Sequence, residues 1–110
     1  MRLSYKNKKL EACLTTDKGL TKTYGRLAKK IKQRRLQLES ADNLWVISTI
    51  KVLRLHPYHG DRQGIWSIDI QENWRMLFTI DHDPIPQLED GGVNLKAVTI
   101  IRIESIEDPH

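Results

Sequence analysis

The sequence predicts a small α+β domain in which helices pack on one face of a mainly antiparallel sheet. Two observations predict the sheet: apolar and polar residues alternate over residues 66–70 and again over residues 74–80, on either side of a short polar connection. A third predicts the helices, because apolar residues recur at helical spacing within residues 21–40. The predicted order of elements is β-α-α followed by about four strands.

The first half of the chain contains the predicted helices. Residues 2–6 alternate and predict a first strand, after which Asn7 is a candidate cap for a short helix that ends near Leu14. Residues 15–19 contain Thr, Asp and Gly and are expected to interrupt the helical pattern. A longer helix is predicted over residues 21–40. The residues at helical spacing that are expected to face the core are Leu20, Tyr24, Leu27, Ala28, Ile31 and Leu38.

The second half contains the predicted sheet. Residues 42–50 are apolar and are compatible with either a short helix or a packed loop, and residues 51–55 predict a strand that leads to the central hairpin. Residues 82–96 hold two prolines and a Gly-Gly pair, which predicts an exposed loop insertion. Residues 97–103 are rich in β-branched side chains and predict the last strand. Residues 104–110 are then expected to leave the sheet as a short tail.

Length and composition narrow the class of protein. The chain has 110 residues, and we expect a single domain over residues 1–110. No apolar run is long enough to cross a membrane, and residues 1–9 lack the apolar core of a signal peptide. Cys13 is the only cysteine, which excludes an internal disulfide framework and a cysteine-based zinc site. A cytoplasmic protein without membrane contact is therefore predicted.

Charge is distributed unevenly along the chain. Residues 1–54 carry 14 Lys/Arg against 4 Asp/Glu, a balance of +10, whereas residues 55–110 carry 4 against 10, a balance of −6. The basic half and the pI near 9.3 indicate a polyanionic partner, most simply nucleic acid. Lys29, Arg34 and Arg35 on the basic helix are candidate RNA contacts. The alternative is a solvated lysine-rich helix with no such partner.

Residues 56–75 bring together the side chains best suited to phosphate chemistry. His56 and His59 lie in the segment that leads into the hairpin, together with Arg62. Because Trp74 and Met76 point to the core, period-two alternation directs Arg75 to the opposite face. Imidazoles and an outward arginine are therefore expected on one side of the sheet. Arg75 can equally be an ion-pair partner of Asp69, which is predicted on the same face.

These residues also carry a family resemblance. The segment LHPYHGDRQGIWSIDIQENWRMLF resembles the signature of the HigB branch of the RelE/ParE toxin superfamily, the toxins of bacterial type II toxin–antitoxin pairs. The shared pattern is Leu-His-Pro, Gly-Asp-Arg, Gly-x-Trp-Ser and Asn-Trp-Arg ahead of an apolar strand. SYKNKKLEAC resembles the first strand and helix of the family, and IEDPH resembles its acidic tail. The resemblance covers most of the chain outside residues 82–96 and implies a RelE-like fold.

The resemblance also implies an activity and partners. HigB-type toxins enter the ribosomal A site and cut messenger RNA, without a metal or cofactor, by attack of the ribose 2′-hydroxyl on the adjacent phosphate. The implied partners are the 30S/70S ribosome with its messenger and a helix-turn-helix antitoxin similar to HigA. Contact with operator DNA is implied only through that antitoxin, and the implied location is the bacterial cytoplasm.

This reaction needs a base, an acid and cations that stabilise the phosphorane, roles that suit histidine and arginine. Matched by motif, His56 corresponds to the active-site histidine of the family and Arg75 to its phosphate-binding arginine. Asp108 and His110 correspond to its tail residues. Tyr58 and Arg62 are weaker candidates for contact with RNA.

Two positions depart from the family pattern. The family commonly has lysine where this chain has His59, so we expect His59 to act as acid or base with weaker electrostatic stabilisation of the phosphate. The family also commonly has an aromatic residue at the position of Pro109, and a stacking contact with a base is expected to be missing there.

Three other functions compete with this interpretation. Toxins on the ParE side of the superfamily share the fold but poison DNA gyrase. His56 and His59, with Asp108 and His110, have the donor atoms for a zinc site. A non-catalytic RNA-binding module that uses the basic helix is the third alternative.

Overall fold

The computed structural model describes residues 1–108. Five strands and four α-helices follow one another along the chain. In order they are β1 (Arg2–Tyr5), α1 (Lys8–Thr15), α2 (Asp17–Tyr24), α3 (Ala28–Ser40), α4 (Leu44–Ser48), β2 (His56–Pro57), β3 (Ile65–Gln71), β4 (Trp74–Ile80) and β5 (Ile100–Glu107).

The strands form one sheet of order β1-β5-β4-β3-β2. The β1–β5 pair is parallel and the other three neighbouring pairs are antiparallel. The prediction of an α+β domain with a mainly antiparallel sheet is therefore confirmed. β5 lies between β4 and β1, so the last strand of the chain is an interior strand of the sheet.

The helices are delimited by side-chain caps. Asn7 Oδ1 accepts a hydrogen bond from the Leu10 N–H at 2.8 Å and starts α1. Thr16 ends α1 and also starts α2, because its hydroxyl accepts from the Gly19 N–H at 3.0 Å. The predicted interruption at residues 15–19 is thus one residue long, and the helical path resumes at Asp17.

The prediction of one helix over residues 21–40 is wrong, because the helix breaks at Gly25. Gly25 has φ of +53° and its N–H bonds to the Thr21 carbonyl, which closes α2. A 3-10 turn over Gly25–Leu27 then leads into α3. A backbone conformation with positive φ is readily adopted only by glycine, so Gly25 sets the change of direction between the two helices.

The core lies between the helices and one face of the sheet. Buried helix residues contact the alternate residues of β3, β4 and β5 that point to the same side. The fully buried members include Leu14, Ile31, Leu38, Ile68, Met76, Phe78, Ile101 and Ile103. Trp66 and Trp74 are partly buried and pack against this cluster, as their alternation predicts.

Two strand predictions are corrected. Residues 51–55 do not form a strand: Lys51–Leu53 is a 3-10 turn with Leu53 buried, and Arg54 follows in the left-handed region. The last strand is Ile100–Glu107 rather than residues 97–103. Most of the predicted tail is therefore part of the sheet, where Glu107 is in register with Arg75 of β4.

Residues 42–50 and 82–96 complete the fold. The first contain α4, whose cap is Asn43. The second form a mostly exposed loop that is pinched by a bridge between Gln87 and Val93. His82, at the start of this loop, is not simply exposed: its Nε2 accepts from the N–H groups of Thr99 and Ile100 at 3.0 and 3.2 Å. Within residues 1–108, no helix combines the length and apolar character needed to cross a membrane.

Candidate active site

The face of the sheet opposite the helices carries the candidate site. Pleating directs alternate residues of each strand to this face, and strand register aligns them in two neighbouring rows. The first row is His56, Ser67, Leu77 and Ser105, and the second is Asp69, Arg75 and Glu107. We call this the open face; within it, the side chains of Ser67 and Leu77 are buried. His56 and Arg75 therefore lie on the same side of the sheet, as predicted.

Arg75 is held by a carboxylate directly across the β3–β4 pair. Its Nη1 donates to Asp69 Oδ1 at 2.6 Å, and the two side chains are 18% and 17% exposed. A short, charge-assisted bond between two partly shielded groups fixes the orientation of the guanidinium. The alternative interpretation of Arg75 was an ion pair with Asp69, and this ion pair is present. The guanidinium of Arg75 nevertheless stays at the open face.

Arg54 also reaches this carboxylate. Its Nη1 lies 3.4 Å from Asp69 Oδ2, and its side chain is 69% exposed. Sequence reasoning missed Arg54, because the segment that contains it was predicted as a strand. Its position two residues before His56 was the available signal. Two guanidiniums therefore share one carboxylate beside His56.

A second ion pair links the loop before β3 to the end of β5. Arg62 donates from both terminal nitrogens to the Glu107 carboxylate at 3.1 and 2.9 Å, and the Ser105 hydroxyl donates to it at 2.6 Å. The hydrogen bonds from Arg62, and then that from Ser105, hold the pKa of Glu107 below its usual value against the opposing effect of burial. The bonds to Glu107 raise the pKa of Arg62.

The aromatic candidate Tyr58 joins His56 to Arg62. The His56 and Tyr58 rings are 5.4 Å apart at a tilt of 58°, and the Arg62 guanidinium carbon lies 5.4 Å from the centre of the Tyr58 ring. His56 and His59 are both exposed. His59 directly precedes the 3-10 turn Gly60–Arg62 that positions Arg62. A polyanion approaching the open face can reach the exposed imidazole of His56.

The predicted tail residues are only partly described. Asp108 is exposed and directly follows Glu107, the residue that faces Arg75 across the β4–β5 pair. His110 and Pro109 lie outside the described residues, so their predicted roles stay predictions.

The basic helix does not contribute to the open face. Lys29, which is exposed, and Arg35, which donates to Glu39 at 2.7 Å, lie on α3 behind the sheet. The prediction that Arg34 contacts RNA is corrected, because Arg34 is only 5% exposed. Its guanidinium donates to the backbone carbonyls of Asp69 at 2.8 Å and Ile70 at 3.2 Å. Burial lowers the pKa of Arg34, and the nearby Asp69 opposes this effect.

The open face offers general acids and bases, together with cations that bind phosphate. The imidazoles of His56 and His59 can donate or accept a proton, while Arg54, Arg62 and Arg75 can donate to phosphate oxygens. In the part of the chain from residue 1 to residue 108, no group of three or more His, Cys, Asp or Glu side chains is arranged to hold a metal ion.

Comparison with known proteins identifies relatives of this chain. No protein-family model matches it. Endoribonuclease HigB of Proteus vulgaris is 35% identical to it over 77 residues, which cover 68% of this chain and 79% of the relative. Among solved structures, a YoeB/ParE toxin from Agrobacterium tumefaciens matches with a TM-score of 0.58 and 13% identity over 100% of both chains. YafQ from E. coli strain BL21(DE3) matches with a TM-score of 0.52 and 15% identity over 99% of this chain and 94% of its own.

Proposed function

The chain belongs to the HigB family of endoribonuclease toxins in the RelE/ParE superfamily, and we propose that it cuts messenger RNA in the ribosomal A site without a metal ion. The observation that supports this function most directly is the placement of His56 and Arg75 on one open face of the sheet. A proton-transfer group on β2 and a fixed guanidinium on β4, with β3 between them, are the parts that RNA transesterification requires.

The reaction is an internal transfer at phosphorus. A bond forms from the ribose O2′ to phosphorus and the bond from phosphorus to O5′ breaks, which leaves a 2′,3′-cyclic phosphate and a 5′-hydroxyl. One proton leaves the 2′-hydroxyl and one arrives at the departing O5′. We assign these two transfers to His56 and His59, whose exposed imidazole nitrogens can donate or accept a proton.

Arg75 stabilises the charge that develops on the phosphorane. Its bond to Asp69 leaves the guanidinium with further N–H donors for the non-bridging oxygens. Because Asp69 holds Arg75 before RNA binds, little reorganisation is needed in the transition state. The family motif assigns supporting roles at the phosphate to Asp108 and His110.

Tyr58 and Arg62 are assigned to RNA outside the reacting bond. The Tyr58 ring is half-buried between His56 and Arg62, so a base can stack on its remaining surface. Arg62 contacts a phosphate when RNA competes with Glu107 for its guanidinium. Both residues would position the messenger and carry no proton in the reaction.

The biological setting follows from membership of this toxin family. A toxin of this kind is paired with a cognate antitoxin, and we infer a helix-turn-helix partner similar to HigA that restrains it in the bacterial cytoplasm. We infer that the ribosome presents the messenger to the open face in an extended form.

The test is cleavage of a defined messenger on purified ribosomes, with new RNA ends mapped at nucleotide resolution. We expect cuts in the A-site codon that end in a cyclic phosphate and a 5′-hydroxyl, and none on free messenger. A single 2′-deoxynucleotide at the mapped position should prevent the cut there, because it removes the attacking hydroxyl. A water molecule activated by a metal ion would still cut that messenger.

Arg75→Ala should abolish cleavage while the protein remains folded. Arg26→Ala is the matched control. Arg26 lies in the turn between α2 and α3 and forms an ion pair with Glu72, and the variant that lacks this arginine should cut normally. A folded wild-type protein that leaves the messenger intact on ribosomes contradicts the proposal. A DNA gyrase supercoiling assay would then test the ParE-like alternative.

A further inference from the structure

Arg54 occupies an unusual backbone position beside the candidate site. It has φ of +47° and ψ of +54°, which is the left-handed region, and few residues with a side chain adopt it. Two contacts hold the backbone of Arg54 in this conformation. Leu53 is fully buried, and the Arg54 N–H bonds to the Lys51 carbonyl at 3.1 Å. The chain reverses here and sends the Arg54 side chain over the open face toward Asp69.

The Arg54 guanidinium is held loosely. Its contact with Asp69 Oδ2 is 3.4 Å, whereas Arg75 bonds to the other oxygen at 2.6 Å. Arg54 is the most exposed partner in this group, and an exposed ion pair of this length adds little stability. A phosphate oxygen can therefore replace the carboxylate as its partner without disturbing the Asp69–Arg75 bond.

The local charge favours an anion. Asp69 supplies one negative charge to two guanidiniums, so these three side chains together carry one excess positive charge. Across residues 1–108 the other arginine ion pairs differ in this respect, because each of those carboxylates serves a single arginine. The two guanidiniums contact different oxygens of this carboxylate, so each can donate to a different phosphate of the strand.

We propose that Arg54 binds a second backbone phosphate of the RNA, next to the scissile phosphate held by Arg75. This inference rests on the proposed function and adds a binding point for the strand beside the reacting bond. Arg75 acts on the reacting phosphate, and Arg54 fixes the path of the RNA relative to it. Arginine suits this role because its planar fork can bond two oxygens of one phosphate.

The test compares Arg54→Asn with wild type in binding to ribosomes programmed with a messenger that carries the 2′-deoxy substitution and cannot be cut. Asparagine tolerates the left-handed conformation, so the change removes the guanidinium without adding backbone strain. At moderate salt we expect binding weaker by about three- to tenfold. The slope of log affinity against log salt should become shallower by about 0.7, the value for one phosphate contact on a single strand.

Arg26→Asn is the matched control and should leave both the affinity and the salt slope unchanged. Arg54→Lys should restore most of the slope, since a lysine still neutralises one phosphate, although it lacks the fork. If Arg54→Asn lowers the melting temperature, the salt dependence of Arg54→Lys is the deciding measurement. A slope of log affinity against log salt equal to that of wild type then supports phosphate binding by residue 54. A slope unchanged in folded Arg54→Asn, or a slope lost in folded Arg54→Lys, overturns the inference.

Cleavage by the same variants separates this inference from the proposed function. If wild type cuts, Arg75→Ala does not, and Arg54→Asn binds and cuts like wild type at every salt concentration, only the role of Arg54 is wrong. If wild type makes no A-site cut, the proposed function fails. A shallower salt slope in Arg54→Asn would then still identify a phosphate contact in a non-cleaving RNA-binding protein.

Discussion

Arg34 and Asp69 meet through the backbone: Arg34 Nε donates to the Asp69 carbonyl at 2.8 Å from the helix side of the sheet. The Asp69 carboxylate points to the other side and accepts from Arg75 at 2.6 Å. The β3–β4 register shifts between residues 69 and 71, so the ladder is irregular here and Arg34 supplies donors to it. A buried arginine of α3 thus fixes the residue that orients the candidate phosphate-binding arginine.

Arg34→Met should destabilise the fold, because it leaves the carbonyls of Asp69 and Ile70 without their side-chain donors. Methionine keeps much of the volume of the arginine stem, so the loss is mainly that of buried hydrogen bonds. We expect the free energy of unfolding to fall by about 1–3 kcal/mol, measured by urea denaturation. Lys29→Met on the exposed side of the same helix is the control and should change it little. Equal stability of the two variants would contradict a structural role for Arg34.

Asp69→Asn should separate binding from catalysis. The change removes the charge that holds Arg75 and adds one unit of positive charge to the open face. We expect kcat for messenger cleavage on ribosomes to fall by about ten- to a hundredfold, because the guanidinium is no longer fixed over the reacting phosphate. KM should stay level or decrease, because positive charge favours RNA.

Asp17→Asn is the control for charge alone. It makes the same change in net charge at an ion pair with Lys32 on the helix side and should leave kcat unchanged. A normal kcat in Asp69→Asn would show that the carboxylate only balances charge.

The parts of the site that follow local alternation could be predicted from the sequence. The apolar residues at every second position from Trp74 to Ile80 predict the direction of Arg75, even though Leu77 is an apolar residue on the opposite face. The same period places Trp66 and Trp74 against the core. The extended backbone of His56 also follows from a short-range feature, the proline at position 57, whereas its face is set by the pairing with Ser67.

Long-range contacts and backbone reversals could not be predicted. Arg34 looked like any other cation of a basic helix, and its partner Asp69 is 35 residues away. Val52 and Leu53 before Arg54 favour a strand, but Lys51–Leu53 forms a 3-10 turn in which Leu53 is buried. The sequence predicts a tail where β5 in fact continues to Glu107. β5 stays paired with β4 through a register shift between Leu77 and Phe78, and such a shift leaves no signal in the sequence.

Glu107 should make stability depend on acid pH. Hydrogen bonds from Arg62 and Ser105 lower its pKa in the folded state. A carboxyl whose pKa is lowered by folding stabilises the protein above its unfolded pKa, about 4.3 for glutamate. This contribution is lost as the pH falls through the lower pKa of the folded state.

The measurement is the free energy of unfolding of Glu107→Gln and wild type between pH 7 and pH 3. The variant should be less stable than wild type at pH 7, by less than about 1 kcal/mol because the ion pair is partly exposed. The difference should shrink as the pH falls below about 4.3. Glu89→Gln in the exposed loop is the control. A difference that is constant over this range would show that the carboxylate charge of Glu107 does not stabilise the fold.

Ser67 and Ser105 should respond in opposite directions to the same substitution on the same face. The Ser67 hydroxyl is fully buried and has no hydrogen-bond partner within residues 1–108, whereas the Ser105 hydroxyl donates to Glu107 at 2.6 Å. Burying an unpaired hydroxyl costs free energy, so Ser67→Ala should leave stability unchanged or raise it by up to about 1 kcal/mol. Ser105→Ala should lower stability by about 0.5–1.5 kcal/mol. Both values come from urea denaturation at neutral pH, and a marked destabilisation by Ser67→Ala would show that its hydroxyl forms a stabilising hydrogen bond.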